Sequence, residues 1–147
     1  MDRPMRGKPA FIVRPSNSYQ LTLPGNVCEK VDDGVSSFWL DGEPLLLQLS
    51  SYLRDAGEHL TAKNRMKERI AKNAQTWRVW DERLHPDLSG DQASAEFVDK
   101  DGVLWVHSYL VWPHLTVYAT ISGPEKLARD QYNWAFQGLE SLRLTTH

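Results

Sequence analysis

Hydrophobic and polar residues alternate with a period of two along most of this chain, and two stretches replace that rhythm with helical spacing. Alternation puts successive side chains on opposite faces of a strand, whereas apolar residues three and four apart share one face of a helix. Short strands are predicted over Ala10–Arg14, Tyr19–Leu23, Val27–Val31 and Val35–Leu40. They are broken by the turn formers Pro15-Ser16-Asn17-Ser18, Pro24-Gly25-Asn26 and Asp32-Asp33-Gly34. Asp41-Gly42 is a hairpin signal, and a strand from Pro44 to Leu53 follows it. Pro44 has no N–H for a ladder, so it belongs at the strand start or on an edge. Trp77–Arg83 reads as a further strand, and Leu84–Asp91, with Pro86, Ser89 and Gly90, as an irregular segment. Gln92–Asp99, Val103–Trp112 and Leu115–Ser122 then make an antiparallel meander, turning at Lys100-Asp101-Gly102 and Pro113-His114.

The first helical stretch is predicted from about Ala56 to Ala74, with Leu60, Met66, Ile70 and Ala74 on its inner stripe. Lys63, Arg65, Lys67, Arg69 and Lys72 cover much of the rest. Such a face is usually just solvated, and Glu58 and Glu68 dilute it; the other reading is contact with phosphate or an acidic partner. The second helix is predicted to open at Ser122-Gly123-Pro124-Glu125 and close near Leu142. Ser122 and Glu125 have capping-box spacing, and Pro124 would fall in the first turn, where a missing N–H costs nothing. Leu127, Ala128, Gln131, Ala135, Leu139 and Leu142 form its inward stripe, widened by Tyr132, Trp134 and Phe136. The resulting expectation is an α+β domain over residues 10–147, a twisted, mainly antiparallel sheet packed with two long helices. Residues 1–9 would form a short basic tail.

Counting by twos separates two chemically different sheet faces. Leu45, Leu47, Leu49 and Leu53 share parity, as do Leu115, Val117, Ala119 and Ile121, and Leu104, Val106, Leu110 and Trp112. The opposite parity mixes rings with hydroxyls, an amide and an imidazole. Gln48, Tyr52, Trp105, His107, Tyr109, Thr116 and Tyr118 are therefore the candidate partner-contact residues. Either the other helix covers this face, or part of it stays open to a peptide, an apolar helix or a second copy of the chain.

Composition narrows the function classes. With 147 residues, 41% of them hydrophobic, the chain can bury a substantial core as one domain. A net charge of −2 argues against broad nucleic-acid binding. Six tryptophans are many for this length and point to an interface as well as a core. The single Cys28 cannot form an internal disulfide, which fits a reducing compartment, and a cytoplasmic location is expected. No run reaches the roughly 18 apolar residues of a spanning helix, so no membrane insertion is expected. Met1–Pro9 carries Arg3, Arg6 and Lys8 without the apolar run of a secretory signal.

Candidate chemistry is sparse. His107 and Ser108 are neighbours on a strand, so they point to opposite faces and cannot act as base and nucleophile. Asp81, Glu82, His85, Asp87 and Asp91 gather possible metal ligands, but their spacing matches no dedicated site. Asp99-Lys100-Asp101-Gly102 is similar to the start of a calcium loop yet lacks its distal Glu, and reads as a hairpin turn. The nine glycines are scattered singly and form no phosphate loop. No metal or cofactor is expected.

The order of strands, helix, meander and closing helix resembles the PsbP-like α/β/α sandwich. Tyr19-Gln20-Leu21-Thr22-Leu23-Pro24, Leu47-Gln48-Leu49-Ser50-Ser51-Tyr52 and Ala135-Phe136-Gln137-Gly138-Leu139-Glu140-Ser141-Leu142-Arg143 carry that resemblance. The grouping includes photosystem II extrinsic proteins, a small Ran-GTPase-binding nuclear import factor, bacterial type VI secretion effector chaperones and many uncharacterised bacterial domains. It implies a fold that holds or delivers a partner, as the secretion chaperones cradle apolar helices on a sheet face. The leading expectation is a non-catalytic bacterial adaptor, chaperone or immunity-type factor that binds a protein or peptide and can pair as a homodimer. The alternative is an enzyme or small-ligand binder with a cleft lined by His107, His85 and nearby carboxylates.

Overall fold

The computed structural model describes residues 10–16, 18–53, 61–72, 77–84, 91–127 and 129–145. Five strands come first: β1 (Ala10–Ser16), β2 (Tyr19–Pro24), β3 (Val27–Asp32), β4 (Val35–Leu40) and β5 (Leu46–Leu53). Helix α1 (Ala62–Lys72) precedes β6 (Arg78–Leu84), β7 (Asp91–Val98), β8 (Val103–Trp112) and β9 (Leu115–Pro124). Helix α2 (Arg129–Ser141) and the two-residue β10 (Arg143–Leu144) close the chain. A seven-stranded sheet runs β3-β4-β5-β9-β8-β7-β6, and a three-stranded sheet runs β1-β2-β10. Every pairing is antiparallel. The fold is α+β and dominated by antiparallel sheet, with both helices short.

Tight turns make this topology possible. Gly42 and Gly102 sit at φ values of 80° and 79°, left-handed backbone that glycine adopts without a Cβ clash. At the second of these turns Asp99 fixes the geometry. Its carboxylate accepts from the Asp101 and Val103 amides at 2.8 and 3.0 Å and from the Trp105 indole at 3.0 Å. Those three donors hold the Asp99 carboxyl below its ordinary pKa, the Val103 amide most strongly.

The main core lies on one face of the large sheet. Register puts Leu47, Ile121 and Val106 in one row and Leu49, Ala119 and Ser108 in the next. Over them pack Leu21 and Leu23 of β2 and Tyr132, Ala135 and Leu139 of α2, with Leu142 just beyond. Each fully buried aliphatic side chain contributes roughly 2 kcal/mol, so this face dominates stability. Gly138 lets α2 approach β2: a Cβ there would lie 2.6 Å from Leu23 Cδ2. Ser141 then ties the layers together, its Oγ accepting from the Thr22 amide at 2.8 Å.

Helix α1 covers part of the opposite face. Ala62 and Met66 meet Ala93, Ala95, Tyr109 and Val111 of β7 and β8. The small alanines of β7 allow this close approach.

Two helix boundaries differ from the sequence expectation. Helix α1 does not run through residue 61: Thr61 is its N-cap, with Oγ1 accepting from the Asn64 amide at 3.1 Å. The expected turns at Ala56–Leu60 and 73–74 lie outside the described residues, as do residues 1–9. Helix α2 starts at Arg129, and Ser122, Gly123 and Pro124 belong to β9. The ladder explains this, since Ser122 is paired with Leu46, Gly123 with Leu104 and Pro124 with Val103. Ladder pairing, on both sides at Ser122 and on the β8 side at Gly123 and Pro124, outcompetes a capping box. The expectation of two long helices therefore reduces to helices of 11 and 13 residues.

Candidate functional site

The face opposite the main core carries the ring-and-hydroxyl residues picked out by alternation. Continuous rows cross it. One contains Lys30, Ser37, Gln48, Thr120, His107 and Ala95, and the next contains Ser50, Tyr118, Tyr109 and Ala93. On the other side of the first row lie Trp39, Leu46, Ser122, Trp105 and Phe97. The sheet thus brings five of the seven candidates, Gln48, Trp105, His107, Tyr109 and Tyr118, onto adjoining rows, with Tyr52 and Thr116 paired on the row beyond.

Helix α1 divides this surface. Tyr109 is 6% exposed and Thr116 is 0% exposed, so both are sealed and neither can touch a partner in this state. For Tyr109 the cause is α1, which lies on β7 and β8. Thr116 is buried in the row with Tyr52 and Val111, and its Oγ1 has no hydrogen-bond partner among the described residues. Tyr118, Trp105, His107 and Gln48 are half-buried, and Tyr52 is 42% exposed. Among the described residues, α1 packs on β7 and β8 and reaches Tyr118 of β9 and Tyr52 of β5 only through its arginine side chains, and no helix packs against β4.

Arg69 fastens the covered half. Its Nε donates to the Tyr109 hydroxyl at 2.9 Å, and its guanidinium sits 4.3 Å from the Tyr118 ring centre. One turn earlier, Arg65 lies 5.7 Å from the centre of the Tyr52 ring. These are cation–π distances. With Glu68, Lys72 and Tyr109, the two arginines line a cleft of about 220 Å³ beside the uncovered half.

His107 is packed among rings. Trp77 meets it edge-on at 5.1 Å, Phe97 lies at 5.8 Å, and its Nδ1 shares a hydrogen bond with the Tyr118 hydroxyl. Burial, reinforced by the Arg69 charge, pushes the imidazole pKa down to about 4. Burial pushes the Tyr118 phenol up to about 12, against the opposing effect of Arg69. At neutral pH the pair is therefore uncharged. Ser108 lies on the other face, 2.7 Å from the Ser94 hydroxyl.

Of the remaining candidate ligands, only the side chain of Asp91 is among those described. Asp91 accepts from the Ala62 amide at 3.2 Å and so caps α1. His85 and Asp87 lie outside the described residues. Among the described residues no group of three His, Cys, Asp or Glu side chains comes together. On the core side, a second cleft of about 240 Å³ lies between α2 and β7–β8, lined by Glu96, Leu104, Val106, Glu125, Leu127, Tyr132 and Phe136. Tyr132 donates from its hydroxyl to the Pro124 carbonyl at 2.6 Å. Burial, then the Glu125 and Glu96 charges, raise its pKa.

Sequence reasoning missed Trp39, Arg69, Trp77 and Phe97 as members of this surface. The parity of β4 was readable, with Val35, Ser37 and Trp39 against Ser36, Phe38 and Leu40, but serine on both faces hid its direction. The inward turn of Arg69 left no mark in the pattern.

Among the described residues, no helix is long and apolar enough to cross a membrane. No protein-family model matches the chain, and no curated protein does. Several solved structures are similar in fold. A crystal structure from Bacteroides thetaiotaomicron VPI-5482 superposes with a TM-score of 0.59 at 12% identity, over 93% of this chain. The chain spans about half of that protein's length, 48%. A point mutant of protein Mog1 superposes with a TM-score of 0.58 at 10% identity, covering 92% of this chain and 96% of Mog1. At these identities the likeness is one of fold alone.

Proposed function

We propose that this chain is a non-catalytic domain that binds a protein or peptide segment on the uncovered half of its ring-and-hydroxyl sheet face. An adaptor, chaperone or immunity-type factor would use such a face, and a PsbP-like sandwich is the architecture this reading favours. The observation that carries it is the division made by α1. Helix α1 seals Tyr109 on β8, while Trp39, Leu46, Gln48 and Tyr52 of β4 and β5 stay partly accessible on the same surface. Aromatic residues with polar tips suit a surface that alternates between water and a partner. The amide of Gln48, held 3.1 Å from the Ser37 hydroxyl, places a hydrogen-bonding group at the middle of this patch.

A photo-crosslinking amino acid at position 48, expressed in cells of the native organism, tests this reading. The same probe at the exposed Asn133 of α2 is the control. Discrete adducts from position 48 and none from position 133 are expected. Equal labelling from both sites, or none from position 48, refutes the assignment.

A further inference from the structure

We infer that the segment bound on this face is acidic, with carboxylates directed towards α1 and apolar side chains laid across Trp39, Leu46 and Tyr52. This rests on the binding face proposed above and specifies the chemistry of its occupant. Helix α1 carries Lys63, Arg65, Lys67, Arg69 and Lys72 against the single carboxylate Glu68. Its 11 residues hold 5 of the 17 Lys and Arg residues of a chain whose net charge is −2.

Its placement matters more than its amount. Arg65, Glu68, Arg69 and Lys72 recur at helical spacing and form one wall of the 220 Å³ cleft, with the Tyr109 hydroxyl at its floor. Arg65 lies over Tyr52, on the uncovered half, and Arg69 over Tyr118 at the boundary. Stacking holds both guanidinium groups in place, which suits them to planar, bidentate carboxylate recognition. A partner crossing the sheet from β4 towards α1 meets rings first and then cations. Amphipathic acidic segments match that sequence of surfaces. Extended nucleic acid does not, because the basic stripe is about two helical turns long.

The test compares three fluorescent peptides of equal length and apolar content, one acidic, one neutral and one basic, titrated against the full chain. Acidic peptide is expected to bind about fivefold tighter than neutral, with basic peptide weakest and the preference shrinking as salt rises. Lys72→Glu changes the cleft, whereas Lys67→Glu makes the same charge change on another side of α1. Both positions are exposed, so both variants keep the fold, as circular dichroism checks. Loss of the acidic preference in Lys72→Glu but not Lys67→Glu supports the inference. Equal binding of all three peptides overturns it and leaves the binding face standing. Failure of every peptide overturns both. Tighter binding of an anionic vesicle or a single-stranded oligonucleotide than of the acidic peptide also overturns it.

Discussion

Acidification should loosen the junction between α1 and the sheet through His107. In the folded chain this imidazole is depressed from 6.5 to about 4, chiefly by burial among Trp77, Phe97 and Tyr118 and secondarily by Arg69. In the unfolded chain it binds a proton near its ordinary pKa. Between the two values the unfolded state therefore holds more protons, and stability rises with pH across that window. The His107 contribution is fully present above about 6.5, falls as pH drops, and is gone by about 4. At ~1.36 kcal/mol per pH unit the loss is about 3 kcal/mol, reduced where solvent reaches the ring. Urea unfolding at a series of pH values, on the native chain and on His107→Gln, isolates this contribution. Carboxylates and the other histidines titrate in both proteins and cancel in the difference. The native chain should lose about 2–3 kcal/mol more than the variant between pH 7 and 4. Parallel profiles would show that His107 titrates normally and that the packing around it is wrong.

Other perturbations probe the layers separately. Gly138→Ala gains helix propensity but drives a Cβ within 2.6 Å of Leu23 Cδ2, and Leu23 is buried, so thermal unfolding should show a net loss of about 1 kcal/mol. Ser141→Ala removes the acceptor for the Thr22 amide and should cost about 1 kcal/mol in chemical denaturation, with no change in binding on the other face. Arg69→Leu removes the bond to Tyr109 and the contact with Tyr118, for about 2–3 kcal/mol. The same change should raise the His107 pKa, since the Arg69 charge helps depress it, and the imidazole NMR titration reads that directly.

Much of the architecture was legible because alternation and turn chemistry agreed. Leu47, Val117, Ala119 and Ile121 shared parity in sequence and share the core face in the fold. Asp41-Gly42 and Asp101-Gly102 marked their turns because glycine alone readily takes the left-handed backbone these turns need. Ser122-Gly123-Pro124-Glu125 misled, because a local capping signal competes poorly with ladder pairing. The two residues of β10 are too few to carry periodicity, and only their docking beside β2 makes them a strand. Candidate site residues fell on one face of the sheet, since parity alone decides that. Exposure depends on where a distant helix lands, so Tyr109 looked no different in sequence from Tyr52.

Chemical-shift mapping of the isotope-labelled chain with the acidic peptide tests the central claim most directly. Perturbed amides should cluster on β4, β5, β9 and the Arg65–Lys72 face of α1, leaving α2 and β2 unchanged. Shifts centred on the cleft beside Tyr132 and Phe136 would place the binding surface on the opposite side of the sheet and contradict the account.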